Sequence, residues 1–338
     1  MASLAGSPLA ISLGDPAGIG PELIGEAWAR RGAEALPPFF AVGGAALLAA
    51  AAEARGLDVP VRAIASPAQA PAVFRDALPV LGDFDCAWRP GAPDRAGAEF
   101  ALRSLTEAAR LAVAGEEGGI VTGPIAKARL AEIGFTHPGQ TEFVAEASGV
   151  ASDDAVMMLA GPSLRTVPLT VHAALADVPR LLTVDLIVRR ARIVASALAR
   201  DFGLARPRLA MTGLNPHAGE DGRMGNEEIR VIAPAIAALR AEGIAVTGPH
   251  PADALFAPRA RESYDVALCM YHDQALIPLK TLDFDSGVNV TLGLPIVRTS
   301  PDHGTAFGIA GKRVADAGAT IAALRMAGEC AARRSGPA

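Results

Sequence analysis

LCMYHDQALIPLK, Leu268 to Lys280, carries an apolar run of strand character straight into a neighbouring imidazole and carboxylate, His272 and Asp273. Such a break is either the capped start of a helix or the edge of a site. The rest of the chain repeats the pattern. Short apolar or β-branched runs (LAISL, FFAVG, GGIVTG, AVMMLAG, TVPLTV, RLAMTG and DVALCMY) alternate with Ala-rich segments of helical length. The helix candidates include Pro21 to Arg31, Ala45 to Gly56, Ala98 to Ala114, Val184 to Phe202 and Asn226 to Gly243. This alternation implies parallel strands joined by crossover helices, an α/β fold.

Three of the six histidines stand just beyond strand candidates: His172 after TVPLTV, His217 after RLAMTGLNP and His272 after DVALCMY. Ligands of parallel α/β sheets collect outside the carboxyl ends of the strands, so the three imidazoles are candidates for one centre. Three neutral imidazoles suit Zn²⁺, Co²⁺ or a similar divalent ion and leave a coordination position for substrate. The spacing is nothing like H-E-x-x-H, so convergence has to come from the fold; any one histidine alone reads better as a hydrogen-bonded loop residue, and it is the repeated strand-end placement of all three that raises the metal reading. Lys280, Asn289 and Arg298 follow within a stretch read as short strands and turns. A lysine, an amide and an arginine suit a phosphate or carboxylate, or else a solvated surface. GDPAGIGPE, Gly14 to Glu22, joins a strand to a helix and offers N–H groups to an anion, although it matches no nucleotide fingerprint and a tight turn also explains it.

At 338 residues the chain is long enough for two domains, and 51% hydrophobic with 20% charged residues is a globular composition. A formal net charge of −5 gives no support for nucleic-acid binding. Three scattered cysteines, Cys86, Cys269 and Cys330, indicate neither a disulfide framework nor a thiolate zinc cluster, and a reducing cytoplasm fits. No run reaches the ~18 apolar residues of a membrane span, and MASLAGSPLAISLGD does not read as a signal peptide. The expectation is a soluble protein. His137 and His250, each beside a proline, read as loop residues. Asp15 and Asp253 are turn acids or cleft residues, and Met157, Met158 and Met270 read as core.

GDPAGIGPE, VTGPIAK, HPGQTEF, LTVHAAL, GLNPHAGEDG, PADALF, MYHDQALIPLK and VNVTLGLPIVRTSPDHGTAFGIAGK occur in the order found in 4-hydroxythreonine-4-phosphate dehydrogenases, and the chain resembles that family over roughly residues 10 to 316. The resemblance implies a two-domain isocitrate/isopropylmalate dehydrogenase-like fold with a cleft between domains, assembled as a homodimer with active sites at the subunit interface. The domains expected are 1–128 with 285–338 on the cofactor side, and 129–284 on the metal and dimer side. Carried over residue by residue, the metal ligands fall on His172, His217 and His272, and the substrate contacts on Gln140, Thr141, Lys280, Asn289 and Arg298. His303, in SPDHGTA, falls in a cofactor loop. One divalent ion per subunit (zinc, cobalt or magnesium) and NAD or NADP are implied. Lys280 joins the three histidines as a catalytic candidate.

The implied reaction is oxidation of 4-phosphooxy-L-threonine to a 3-keto acid that loses CO₂, giving 3-amino-2-oxopropyl phosphate for pyridoxal 5'-phosphate synthesis. Three departures bear on the substrate: Gln140 stands where the family usually has histidine, Ala254 where threonine is commoner, and Gly308 where an acidic residue is commoner. They keep open a paralogue acting on phosphorylated threonate or erythronate. A three-histidine metallohydrolase and a catalytically dead anion-binding sensor are the more distant alternatives. Asp273 reads either as a partner of a ligating imidazole or as a helix cap.

Overall fold

The computed structural model describes residues 7–336; the first six residues of the stretch read above for a leader lie outside them. The chain packs as two compact units, one taking in the chain up to Ser152 and from Leu294 onward, the other Asp153–Gly293. The sequence reading put the breaks at 128/129 and 284/285. Among the described residues the strands are β1 (Leu9–Ser12), β2 (Phe39–Val42), β3 (Val61–Ile64), β4 (Leu78–Leu81), β5 (Gly119–Thr122), β6 (Val156–Ala160), β7 (Arg165–Pro168), β8 (Leu209–Thr212), β9 (Val246–His250), β10 (Val266–Cys269), β11 (Val288–Leu292) and β12 (Arg298–Pro301).

In the first unit the strand order is β3-β4-β2-β1-β5-β12, every neighbour parallel. β1, β2, β5 and β12 are buried along their whole length, as continuous runs such as FFAV require when helices cover both faces of a sheet. The helix Arg95–Ala114 starts where Asp94 accepts from the Gly97 N–H at 2.7 Å and stops at Gly115, whose φ of 72° ends the right-handed turn. β1 has β2 on one side and β5 on the other, so the chain order reverses there, the kind of position where ligands of open α/β sheets collect. GDPAGIGPE leaves β1 at that point. Gly14 has φ 71°, and a β-carbon on it would lie 2.3 Å from the Pro124 carbonyl oxygen, so only glycine fits.

The second unit has the order β11-β6-β7-β10-β8-β9, with β7, β10, β8 and β9 parallel and β6 antiparallel to both its neighbours. The helix Val184–Phe202 begins where Thr183 accepts from the Leu186 N–H at 3.1 Å. LCMYHDQALIPLK is the end of β10 followed by the helix His272–Asp283, which presses Ala275 and Leu279 onto Leu159, Ala210, Ala267 and Cys269. Leu279 is fully buried, worth about 1.5–3 kcal/mol to the docking of that helix. Lys280 therefore sits in a helix and not among short strands and turns as read from the sequence, and Pro278 lies inside that helix. His250, read as a loop residue, closes β9 with Nε2 2.9 Å from the Thr247 hydroxyl. Met158 and Met270 are core residues, and Met157 is half-buried. Among the described residues no helix is long and apolar enough to cross a membrane.

Candidate active site

His172, His272 and His217 follow β7, β10 and β8, three adjacent parallel strands of the second unit, at their carboxyl ends. Side chains in and just beyond the strands tie those ends together. The Thr170 hydroxyl donates to the Met270 carbonyl at 2.8 Å, joining the segment before His172 to the segment before His272. Gln274 accepts from the Met270 N–H and from the Thr212 hydroxyl, each at 2.7 Å, and donates to the Gly213 carbonyl at 2.8 Å, joining β10 to β8. Every polar atom of that amide is engaged, so it holds its rotamer.

His272 is the first residue of its helix, with Tyr271 at the cap position, and its Nδ1 lies 2.7 Å from Asp273 Oδ1. Asp273 makes no capping hydrogen bond; it is the partner of the imidazole. A carboxylate on Nδ1 fixes the proton there and leaves Nε2 with its lone pair, the arrangement typical of ligating histidines. His172 has φ 52°. Its ring centroid is 6.1 Å from that of His272 at an interplanar angle of 37°, and both rings line a pocket of about 260 Å³ with Thr170, Leu175, Val178, Tyr271 and Asp273.

His217 is exposed and opens a left-handed turn: His217, Ala218, Gly219, Glu220 and Asp221 have φ between 42° and 80°. Four of the five are not glycine, and each such residue costs roughly 1–2 kcal/mol in this region. The turn is held by Glu228, a buried carboxylate whose Oε1 accepts from the N–H groups of Leu214 and Asn215 at 2.8 Å each. Its Oε2 takes Asn215 Nδ2 at 3.0 Å. Sequence reading found the histidine and missed Glu228, Gln274 and Thr170, because their partners are main-chain groups that only the fold brings near.

The structure brings His172 and His272 together. His217 does not line their pocket, and among the described residues no three His, Cys, Asp or Glu side chains are grouped to hold a metal ion. The donor chemistry nevertheless suits one: nitrogen ligands on a single ion at about 2.0–2.1 Å put two imidazole centroids about 5 Å apart, close to the spacing here. Lys280 lies in the last turn of its helix with Nζ 5.9 Å from the Phe284 ring, and Asn289, in β11, has a buried Oδ1 without a hydrogen-bond partner.

The remaining candidates lie in the first unit. Arg298, at the start of β12, is buried and donates to the Thr122 hydroxyl at 2.8 Å and the Thr141 hydroxyl at 3.2 Å. Burial lowers its guanidinium pKa to about 10, with the nearby Glu142 opposing, so it stays a cation at neutral pH. Gln140 and Thr141 form the first turn of the helix Gln140–Ala147 behind the extended Gly139, and Gln140 Nε2 donates to the Gly123 carbonyl at the end of β5 at 3.0 Å. The Lys127 ammonium is 3.4 Å from where a β-carbon on Gly139 would stand. It adds a cation beside that helix start which sequence reading passed over inside VTGPIAK. His303 follows β12, with Nδ1 3.0 Å from the Gly304 carbonyl, and Nε2 buried without a hydrogen-bond partner. Burial holds its imidazole below its ordinary pKa, with the Gly304 carbonyl opposing. Its loop meets GDPAGIGPE, where the Ile19 N–H donates to the Thr305 carbonyl at 3.0 Å. Asp15 is buried and accepts from the Ala17 N–H at 3.0 Å; burial raises its carboxyl pKa and that N–H draws it back.

The chain matches the family described as pyridoxal phosphate biosynthetic protein PdxA over residues 35–327. It is 66% identical to a 4-hydroxythreonine-4-phosphate dehydrogenase from Erythrobacter litoralis (strain HTCC2594), over 97% of this chain and 98% of the relative. It is 54% identical to the enzyme of that name from Zymomonas mobilis subsp. mobilis, over 97% and 96%. The crystal structure of 4-hydroxythreonine-4-phosphate dehydrogenase from Klebsiella pneumoniae aligns with a TM-score of 0.85 at 36% identity, over 96% of this chain and 98% of that one.

Proposed function

The chain belongs to the PdxA family of pyridoxal phosphate biosynthetic proteins, and from that premise we propose that it is a 4-hydroxythreonine-4-phosphate dehydrogenase. The observation that carries this reading is the 66% identity to an enzyme of that name across nearly the whole of both chains. The substrate's 3-hydroxyl is oxidised with NAD or NADP as hydride acceptor. The resulting 3-keto acid loses CO₂ to give 3-amino-2-oxopropyl phosphate, since a ketone β to a carboxylate accepts the electrons released.

His172, His217 and His272 are the ligands of one divalent ion, zinc, cobalt or magnesium, in each subunit. When bound, such an ion would lower the pKa of a coordinated hydroxyl oxygen, as it brings that of water down to about 7. In support, the His272 Nδ1 proton is committed to Asp273, and the His172 ring stands beside it. The ligand set is completed where two subunits of a homodimer meet. Lys280, Asn289, Gln140, Thr141 and Arg298 are the residues proposed to contact the substrate's polar ends, and holding a substrate in one orientation lowers the entropic part of the barrier. The first unit carries the nicotinamide cofactor, with His303 as a contact whose buried Nε2 is free to meet a polar group. The second unit carries the metal and the dimer contact, and the protein works in the cytoplasm.

The test is a spectrophotometric screen of 4-phosphohydroxythreonine, phosphothreonate and phosphoerythronate with both cofactors. Reduction of nicotinamide fastest with 4-phosphohydroxythreonine is expected. A clear preference for either deaminated acid would make the protein a paralogous dehydrogenase, and release of product with no cofactor would make it a hydrolase.

A further inference from the structure

Gln140 has its two ends in different situations. Its Nε2 donates to the Gly123 carbonyl at 3.0 Å, and because a carbonyl only accepts, the nitrogen side of the amide is the side that must face it. That leaves Oε1, which is buried and has no hydrogen-bond partner. It lies in the first turn of the helix Gln140–Ala147, next in sequence to Thr141, whose hydroxyl accepts from buried Arg298. A buried acceptor left unmatched is costly, and it is relieved when a ligand brings in a donor.

The substrate class supplies few donors. At neutral pH its phosphate and carboxylate are acceptors, and its 3-hydroxyl gives up its proton during oxidation. The donor that persists through the reaction is the ammonium on C2, and a charged donor strengthens such a bond. We propose that Gln140 determines specificity: its Oε1 accepts from the C2 ammonium and selects substrates that carry a hydrogen-bond donor on the carbon bearing the carboxylate. Arg298, Thr141 and the helix start serve the anionic groups, and Gln140 serves the one cationic group. The inference rests on the dehydrogenase reading above for the identity of the substrate.

The probes are 4-phosphohydroxythreonine and its analogue with hydrogen in place of the C2 amino group, measured on wild type, Gln140→Met and Gln140→His by calorimetric Kd and by steady-state kcat and KM. Wild type should bind the amino compound about ten- to a hundredfold more tightly, and Gln140→Met, similar in shape but without the acceptor, should bring the ratio to within about threefold. Gln140→His can donate from one ring nitrogen to Gly123 and accept on the other, so it should keep the discrimination. KM should carry the change while kcat moves little. A Gln140→Met protein that melts at the wild-type temperature and retains the full ratio would overturn the proposal, as would a wild type that binds both compounds equally. Absence of nicotinamide reduction with either compound would instead count against the dehydrogenase reading, and the calorimetric ratio would still decide the role of Gln140.

Discussion

Replacing Glu228 with alanine removes the acceptor of the Leu214 and Asn215 N–H groups and of Asn215 Nδ2, all at 2.8 to 3.0 Å. Each buried donor so orphaned costs about 1–3 kcal/mol, so the two main-chain groups alone put the loss at about 2–6 kcal/mol. Those bonds anchor the entry to the left-handed turn at 217–221, four of whose five residues are not glycine and adopt it at a cost. With the carboxylate gone the turn relaxes and His217 leaves its place. Glu228→Gln keeps one acceptor oxygen for both N–H groups and loses only the bond to Asn215, a cost of about 1–2 kcal/mol. Urea unfolding gives the stability of each variant, and titration with zinc in competition with a chromophoric chelator gives its metal affinity. Glu228→Ala should lose both, and Glu228→Gln should lose a little of each. Adding Ala218→Gly to Glu228→Gln, which relieves one strained residue, should recover about 0.5–1 kcal/mol. A Glu228→Ala protein with the unfolding midpoint and zinc affinity of the wild type would show that the turn holds without its carboxylate and refute the argument.

Asp273→Asn leaves His272 Nδ1 facing a weaker partner, and zinc affinity in the same competition assay should fall about ten- to a hundredfold; an unchanged value would mean that the contact does not orient the ring. Arg298→Met removes a buried cation that bridges Thr122 and Thr141, so KM for the phosphorylated substrate should rise by at least tenfold, about 1.4 kcal/mol, in steady-state assays. For His303 the sign follows from burial, which lowers the folded pKa below the ordinary 6.5. As pH falls through 6.5 towards the folded value the unfolded chain takes up a proton that the folded chain does not, so stability declines there and is recovered as pH rises again. His303→Gln should flatten that part of the profile of urea midpoint against pH; an identical profile would remove His303 as its source.

Much of the architecture was legible because the strands of a parallel sheet are apolar along their whole length: LAISL, FFAVG, GGIVTG, RLAMTG and DVALCMY all contain strands. β3 and β4 left no such mark. VRAI is largely exposed and so has no reason to be apolar, and LPVL carries a proline that reads against a strand. A helix start at His272 was one reading of the sequence, but Pro278 reads against a helix that runs on to Asp283, and Gln140–Ala147 is too short to show a clear period. Within the site, the polar residues at strand ends announced themselves by interrupting apolar runs. The groups that position them did not. Gln274 and Glu228 satisfy main-chain donors and acceptors on other elements, and nothing local in the sequence records which carbonyl a side chain will meet.

The account depends on His172, His217 and His272 supplying one divalent ion that the oxidation requires. The most direct measurement is the rate of nicotinamide reduction with 4-phosphohydroxythreonine before chelation, after exhaustive dialysis against a strong chelator, and after zinc, cobalt or magnesium is returned, in wild type and His217→Ala. The expected result is a rate abolished by chelation, restored by metal in the wild type and not restored in the variant. A rate untouched by chelation, or a His217→Ala protein that turns over normally, would contradict it.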